Sequence, residues 1–226
     1  MGAIHKVLFL GKKEDKYCLK ALKFCQNNFE KVYCYLGKRG DRFPENIGLC
    51  DCDYIISYRS SWIIPEYLLK IANIASINFH PGSPDYPGIG CTNFALYENS
   101  KEYGVTCHHM ESKVDTGRII SVKSFPICST DTVATLTSKT YDIQLVQFFE
   151  VMEVILNGER LPKSEKQWQR IAFTRKDLDE LGRITPTMRK NEIARRIRAT
   201  SYKKWRPILE IHGFKFEFMP DQSGVT

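Results

Sequence analysis

Asn78 and His80 stand two positions apart at the end of a short apolar run, Ile74 to Phe79, and Asp115 follows one strand and one loop later, ahead of Thr116 and Gly117. Residues two apart on an extended strand project to the same face, so an amide and an imidazole arrive together. An amide N–H can hold an oxyanion, an imidazole can move a proton, and a carboxylate can orient that imidazole or raise its pKa. These are the parts for acyl transfer without a covalent intermediate. The same letters also serve as a loop-capping pair and an ordinary turn, and spacing alone leaves both uses open. There is no G-x-S-x-G nucleophile elbow, and Cys91 and Cys107 have no obvious paired base in the sequence.

The residues after the run, His80-Pro81-Gly82-Ser83-Pro84-Asp85-Tyr86-Pro87-Gly88, read as an open loop at the carboxyl edge of a sheet. Upstream, Lys6 to Gly11, Lys31 to Tyr35 and Asp53 to Tyr58 predict strands. Leu19, Leu22, Cys25 and Phe29 recur at helical spacing between the first two, and Pro65 opens a further helix. Downstream come a short helix over Thr92 to Tyr97, strands over Gly104 to His109 and Arg118 to Phe125, and a long helix from Ser129-Thr130-Asp131 to Asn157-Gly158. Strands alternating with helices imply βαβ units. The expected fold is α/β, a doubly wound, largely parallel sheet with helices on both faces.

After Gly158 the chain turns to charged and aromatic residues. Ile184-Thr185-Pro186 predicts a basic helix through Ala199, and apolar alternation on either side of His212-Gly213 predicts a hairpin. Two parts are therefore expected: a catalytic domain over 1–160, and over 161–226 a linker, the basic helix and a small, mainly β appendage.

With 226 residues, 42% of them hydrophobic, the chain can fill one sizeable core. The formal charge of +7 favours an anionic partner over a cationic one, or is a solvated surface. Eight scattered cysteines without a CxxC pair read as reduced thiols packed as small hydrophobes, which implies a cytoplasmic location. Cys50 and Cys52 are too close for the usual zinc knuckle, so no metal is expected. No apolar run approaches the roughly 18 residues that span a bilayer, so no membrane partner is expected.

From about Asp53 to Ile120 the sequence resembles the folate-dependent formyltransferase family. The matching residues are Asp53-Tyr54-Ile55-Ile56-Ser57-Tyr58 with Ile64-Pro65-Glu66, Asn78-Phe79-His80-Pro81, Gly88, Tyr103-Gly104-Val105-Thr106-Cys107-His108, and Val114-Asp115-Thr116-Gly117-Arg118-Ile119-Ile120. Several motifs in one order are far more specific than any one alone. The resemblance implies a Rossmann-like domain in which 10-formyltetrahydrofolate donates a formyl group directly to a substrate amine. It implies that Asn78 polarises the formyl oxygen, that His80 stabilises the oxyanion and assists proton transfer, and that Asp115 keeps His80 charged and passes on the amine proton. It also implies that the pterin rests largely on main chain, here Trp62, Ile63 and Ile64 and the loop from Met110 through Val114 to Asp115.

The His80-Pro81-Gly82 loop and the short β tail are similar to those of the sugar N-formyltransferases, which act on nucleotide-linked amino sugars. The tRNA enzymes of the family differ at this loop, and they continue into an OB-type domain where this sequence ends. The implied acceptor is the amine of a dTDP- or GDP-linked 4-amino or 3-amino-dideoxy sugar, with no nucleic acid partner. A diphosphate calls for Lys or Arg and a base for an aromatic face, which Tyr202, Lys204 and Trp205 could supply, with Arg59 as a second phosphate contact. The same cluster also reads as a solvated basic helix with a tail-packing Trp. Phe214, Phe216 and Phe218 allow a homodimer through the tail or packing under the catalytic domain. Other readings are formyl transfer to methionyl-tRNA or hydroxyornithine, and a non-catalytic nucleotide- or RNA-binding module.

Overall fold

The structure, a computed structural model, describes residues 5–203 and 205–219. Six strands make the main sheet: β1 (Lys6–Lys12), β2 (Lys31–Gly37), β3 (Cys52–Tyr58), β4 (Ala72–His80), β5 (Glu102–His109) and β6 (Ile119–Pro126). Their order is β2-β1-β3-β4-β5-β6. The first four run parallel, while β5 is antiparallel to both β4 and β6. The sheet is thus mixed but largely parallel, as expected, with the antiparallel pairings confined to β5. Parallel strands need a crossover along the sheet. After β4, however, the chain spends its length on the loop 81–90 and the seven-residue helix α3 (Cys91–Tyr97), and it enters β5 beside the His80 end of β4.

Alternation along β1 places Val7 and Phe9 in one core and Leu8 and Leu10 in another, all four fully buried. A sheet buried on both faces reads as a continuous apolar run, as Val7 to Leu10 does. Helices α1 (Lys16–Asn28) and α4 (Val133–Leu156) contribute to the first core, where Phe148 lies 5.0 Å from Tyr58 and 5.1 Å from Phe79 between ring centroids. Asp15 caps α1 by accepting from the Tyr17 and Cys18 N–H groups, and Thr132 caps α4. The short α2 (Glu66–Leu69) packs Leu68 into the second face beside Ile64 and Leu8. All eight cysteines are free, and six are buried.

A third core joins Tyr86, Phe94 and Leu136 to Leu178, Leu181 and Ala199. A boundary at 160 therefore crosses shared packing. The latter three residues come from α5 (Arg175–Leu181) and α6 (Lys190–Thr200). The basic helix starts later than the sequence suggested because Ile184 is committed to a strand, β7 (Arg183–Ile184), which pairs with β8 (Ile208–Ile211). With β9 (Phe214–Glu217) these make a small second sheet, turned by His212 (φ 48°) and Gly213 (φ 83°), the left-handed pair that a two-residue hairpin requires. Among the described residues, no helix is long and apolar enough to cross a membrane.

Candidate active site

The antiparallel turn at β5 sets the site, because it pairs Asn78 directly with His108. The amide Nδ2 of Asn78 lies 3.1 Å from His108 Nε2, and that nitrogen is also 3.2 Å from Asp115 Oδ1. The other nitrogen of His108, Nδ1, donates to the carbonyl of His109 at 2.8 Å. Nε2 thus accepts from Asn78 when bare and donates to Asp115 when it carries a proton. Asp115 Oδ2 meets His80 Nδ1 at 3.1 Å and accepts from the Gly88 N–H at 2.7 Å. One carboxylate therefore bridges two imidazoles.

His80, His108 and Asp115 are buried at 4%, 2% and 6% exposure, and Asn78, half-buried, is the member that reaches the surface. Both nitrogens of His80 face acceptors, since Nε2 stands 2.9 Å from the Tyr86 carbonyl. Such a ring is satisfied only as imidazolium. Burial alone would strip its charge. Asp115, the Cys91 sulfur and the Tyr86 carbonyl outweigh that, and hold the imidazole well above its ordinary range. Burial would likewise raise Asp115, but the His80 charge, His108 and the Gly88 N–H hold the carboxyl well below its usual range. Cys91 does find an imidazole, 3.6 Å from His80 Nε2, because the loop doubles back before α3. Its S–H is directed at the Gly88 carbonyl at 3.2 Å.

Several fixings hold this group. Gly82 lies against His80 and the Tyr86 carbonyl so closely that a Cβ would collide with both, and Gly88 (φ 88°) faces the Phe173 backbone in the same way. Thr106 Oγ1 donates to the Gly82 carbonyl at 2.7 Å and Tyr103 OH to the Pro81 carbonyl at 2.8 Å. From α4, Gln144 donates to the Phe79 carbonyl at 2.7 Å, between Asn78 and His80. Asp115 itself holds φ at 50°, a conformation that asparagine and aspartate tolerate best among residues with a Cβ.

The residues expected to cradle a pterin divide by role. Ile64 is buried and Met110 packs against the same cluster, which fixes both segments on one side of the sheet. Ile63 (76% exposed) and Val114 (47% exposed) remain open to solvent. The peptide groups of Ile63 and Ile64 make no main-chain hydrogen bond among the described residues. Free peptide groups flanked by exposed aliphatic side chains suit a flat ring with polar edges. Trp62 donates its main-chain N–H to Ser60 Oγ at 3.2 Å, while its indole donates to the Asp41 carbonyl at 3.0 Å and meets Phe43 edge-on.

The residues expected to hold a sugar nucleotide are not gathered at this group. Arg59, in a left-handed backbone (φ 56°), is taken up by Asp15, with Nε and Nη2 at 2.9 and 2.8 Å and the guanidinium stacked 3.4 Å over Tyr141. Tyr202 and Trp205 bond each other's main chain and pack against the third core. Lys204 lies outside the described residues. The arginines of α6 also spend donors internally, Arg195 on the Tyr97 carbonyl and Arg196 on the carbonyls of Glu180 and Arg183.

Two members were missed in the sequence. His108 was hidden because its partnership with Asn78 depends on strand direction. Trp168 comes from the linker: its ring centroid lies 5.7 Å from that of His80 and 5.1 Å from that of His108, edge to face in both cases. Among the described residues, no cluster of His, Cys, Asp and Glu has the arrangement of a metal site.

Residues 26–152, more than half of the chain, match the formyl transferase family, and that stretch holds Asn78, His80, His108 and Asp115. The chain belongs to the formyl transferase family. Among its relatives, this formyl transferase is 28% identical over 172 residues to the GDP-perosamine N-formyltransferase of Brucella melitensis, covering 75% of this chain and 65% of that one. It is 30% identical over 118 residues to the methionyl-tRNA formyltransferase of Levilactobacillus brevis, covering 52% and 38%. The chain thus spans between about two fifths and two thirds of the length of these relatives. In fold it is similar to a 4-N formyltransferase from Francisella tularensis, with a TM-score of 0.76 at 17% identity over 97% of this chain and 98% of that one. It is also similar to the N-formyltransferase from Helicobacter canadensis in complex with folinic acid and dTDP-3-aminofucose, with a TM-score of 0.69 at 20% identity over 93% and 85%.

Proposed function

We propose that this protein transfers a formyl group from 10-formyltetrahydrofolate to the primary amine of a nucleotide-linked amino sugar. The observation that carries the chemistry is the partly exposed Asn78 amide set beside a buried imidazolium–carboxylate–imidazole group. The bound donor supplies an activated acyl carbon. Asn78 keeps one N–H on His108 and offers the other to the carbonyl oxygen as negative charge develops there. His80, with both N–H groups on protein acceptors, acts through its fixed positive charge, which a low-dielectric setting strengthens. Asp115 keeps that charge in place. Asp115 and His108 together offer the acceptor position for the proton that the attacking amine must lose. The main chain of Ile63 and Ile64, with Met110 and Val114, would hold the pterin.

The sugar acceptor is favoured by extent of likeness: the GDP-perosamine enzyme matches over 75% of this chain, against 52% for the tRNA enzyme, and the fold matches 4-N formyltransferase structure nearly end to end. The second reading is methionyl-tRNA, which the 30% identity to that relative supports. Parallel assays with GDP- and dTDP-amino sugars and with methionyl-tRNA separate the two. Transfer to a sugar amine, with none to the tRNA, is expected; the reverse pattern would overturn the acceptor assignment. Salt dependence adds a check, since tRNA binding would weaken steeply as salt rises.

A further inference from the structure

The segment from Ser164 to Phe173 connects α4 to α5, yet it is tied to the active site along its length. The Ser164 N–H donates to the Ile119 carbonyl at 3.1 Å, that of Gln169 to Pro84 at 3.0 Å and that of Phe173 to Pro87 at 2.9 Å, while the Ile89 N–H returns a bond to Phe173 at 2.9 Å. Phe173 stacks on Phe94 with centroids 3.7 Å apart, and Arg170 forms a bidentate pair with Glu98. Between these anchors the Trp168 indole N–H donates to the Gly117 carbonyl at 2.9 Å, in the turn that presents Asp115. The ring is thereby held edge to face against His80 and His108, at 5.7 and 5.1 Å between centroids.

We propose that Trp168 is a positioning residue that seals the His80–Asp115–His108 group from water, so that an amine and not water takes the formyl group. This rests on the formyl-transfer reading above. The charge that readies a formyl carbon for an amine readies it equally for water. In the hydrolytic course, the bond between the formyl carbon and N10 breaks and a carbon–oxygen bond to water forms. N10 gains one proton from that water and a second is released, giving tetrahydrofolate, formate and H⁺. Excluding water from a closed site is a recognised way to suppress such a side reaction. The low exposure of His80, His108 and Asp115 is the structural counterpart of that exclusion.

The test uses Trp168→Ala and Trp168→Phe, the latter keeping an aromatic cover without the indole N–H. The first readout is proton NMR of the protein without ligand, following the His80 ring N–H signals, assigned by their loss in His80→Gln. Protected signals are expected in the wild type and in Trp168→Phe, and their loss to water exchange in Trp168→Ala. The second is the ratio of formate to formylated amine, expected to rise roughly tenfold or more in Trp168→Ala and to return toward wild type in Trp168→Phe. Ring signals that persist in Trp168→Ala would overturn the proposal. So would their loss with an unchanged product ratio, since the cover would then have no chemical effect. If the wild type fails to transfer formyl groups at all, the function reading falls, and the NMR comparison still decides whether Trp168 shields the group.

Discussion

Asp115 Oδ2 stands 3.1 Å from His80 Nδ1, with both side chains buried and Gly88 donating to the same oxygen. Neither charge is stable there alone, because removing an ion from water costs several kcal/mol unless a partner compensates. The stability of the fold should therefore follow their titration. His80 has its folded pKa raised above the ordinary 6.5, so its contribution is full below that pH and is lost as pH rises above it. Asp115 has its folded pKa lowered from the ordinary 3.8, so its contribution is full above that pH and is lost as pH falls below it. Urea unfolding of wild type and His80→Asn across pH 5 to 9.5 checks this. The wild type should lose stability along the alkaline limb and the variant should lose less; parallel curves would contradict the pairing.

Thr106 is fully buried and its hydroxyl donates to the Gly82 carbonyl in the loop that backs His80. Valine has nearly the same shape without the donor. Thr106→Val leaves that carbonyl unpaired, and should cost about 1–3 kcal/mol in unfolding free energy. Turnover should fall as well, because Gly82 touches the His80 ring. A stable variant of unchanged rate would mean that the loop holds its shape without this bond.

Trp205 packs against the third core, and a Cβ on Gly182 would come within 3.3 Å of its ring. Trp205→Ala should destabilise the protein by about 2–4 kcal/mol, somewhat below the usual cost for a fully buried tryptophan. The Michaelis constants for donor and acceptor should move together. A rise confined to the acceptor would return Trp205 to the substrate-binding role that its sequence neighbourhood suggested.

The apolar runs of β1, β3 and β4 and the helical spacing of α1 and α4 were legible because each depends on neighbours within a few residues. The strand period put Asn78 and His80 on one face, and the Asp115-Thr116-Gly117 turn was visible in the letters. Strand direction was not. It depends on whether the chain crosses the sheet between β4 and β5, and a seven-residue helix written in ordinary residues carries no sign of that choice. His108 was missed for this reason. Trp168 was missed because its place depends on the path of a linker, and linkers have no period to read. Arg59 looked available as a cation because the sequence does not show that Asp15, far away in the chain, occupies it. The start of the basic helix was misplaced because Ile184 fits a strand as readily as a helix, and pairing with Leu209 decided it.

The most direct test of the central claim is a formyl-transfer assay with 10-formyltetrahydrofolate and nucleotide-linked amino sugars, following tetrahydrofolate release and the formyl mass gain on the amine, for wild type and Asn78→Ala. Asn78 is the partly exposed donor of the site, and loss of one such oxyanion donor typically costs about 10²–10³ in turnover. The account predicts equal molar release and mass gain in the wild type, and a fall of at least about a hundredfold in a folded Asn78→Ala protein. Near-wild-type transfer by Asn78→Ala would contradict it, as would donor binding by the wild type with no amine formylated.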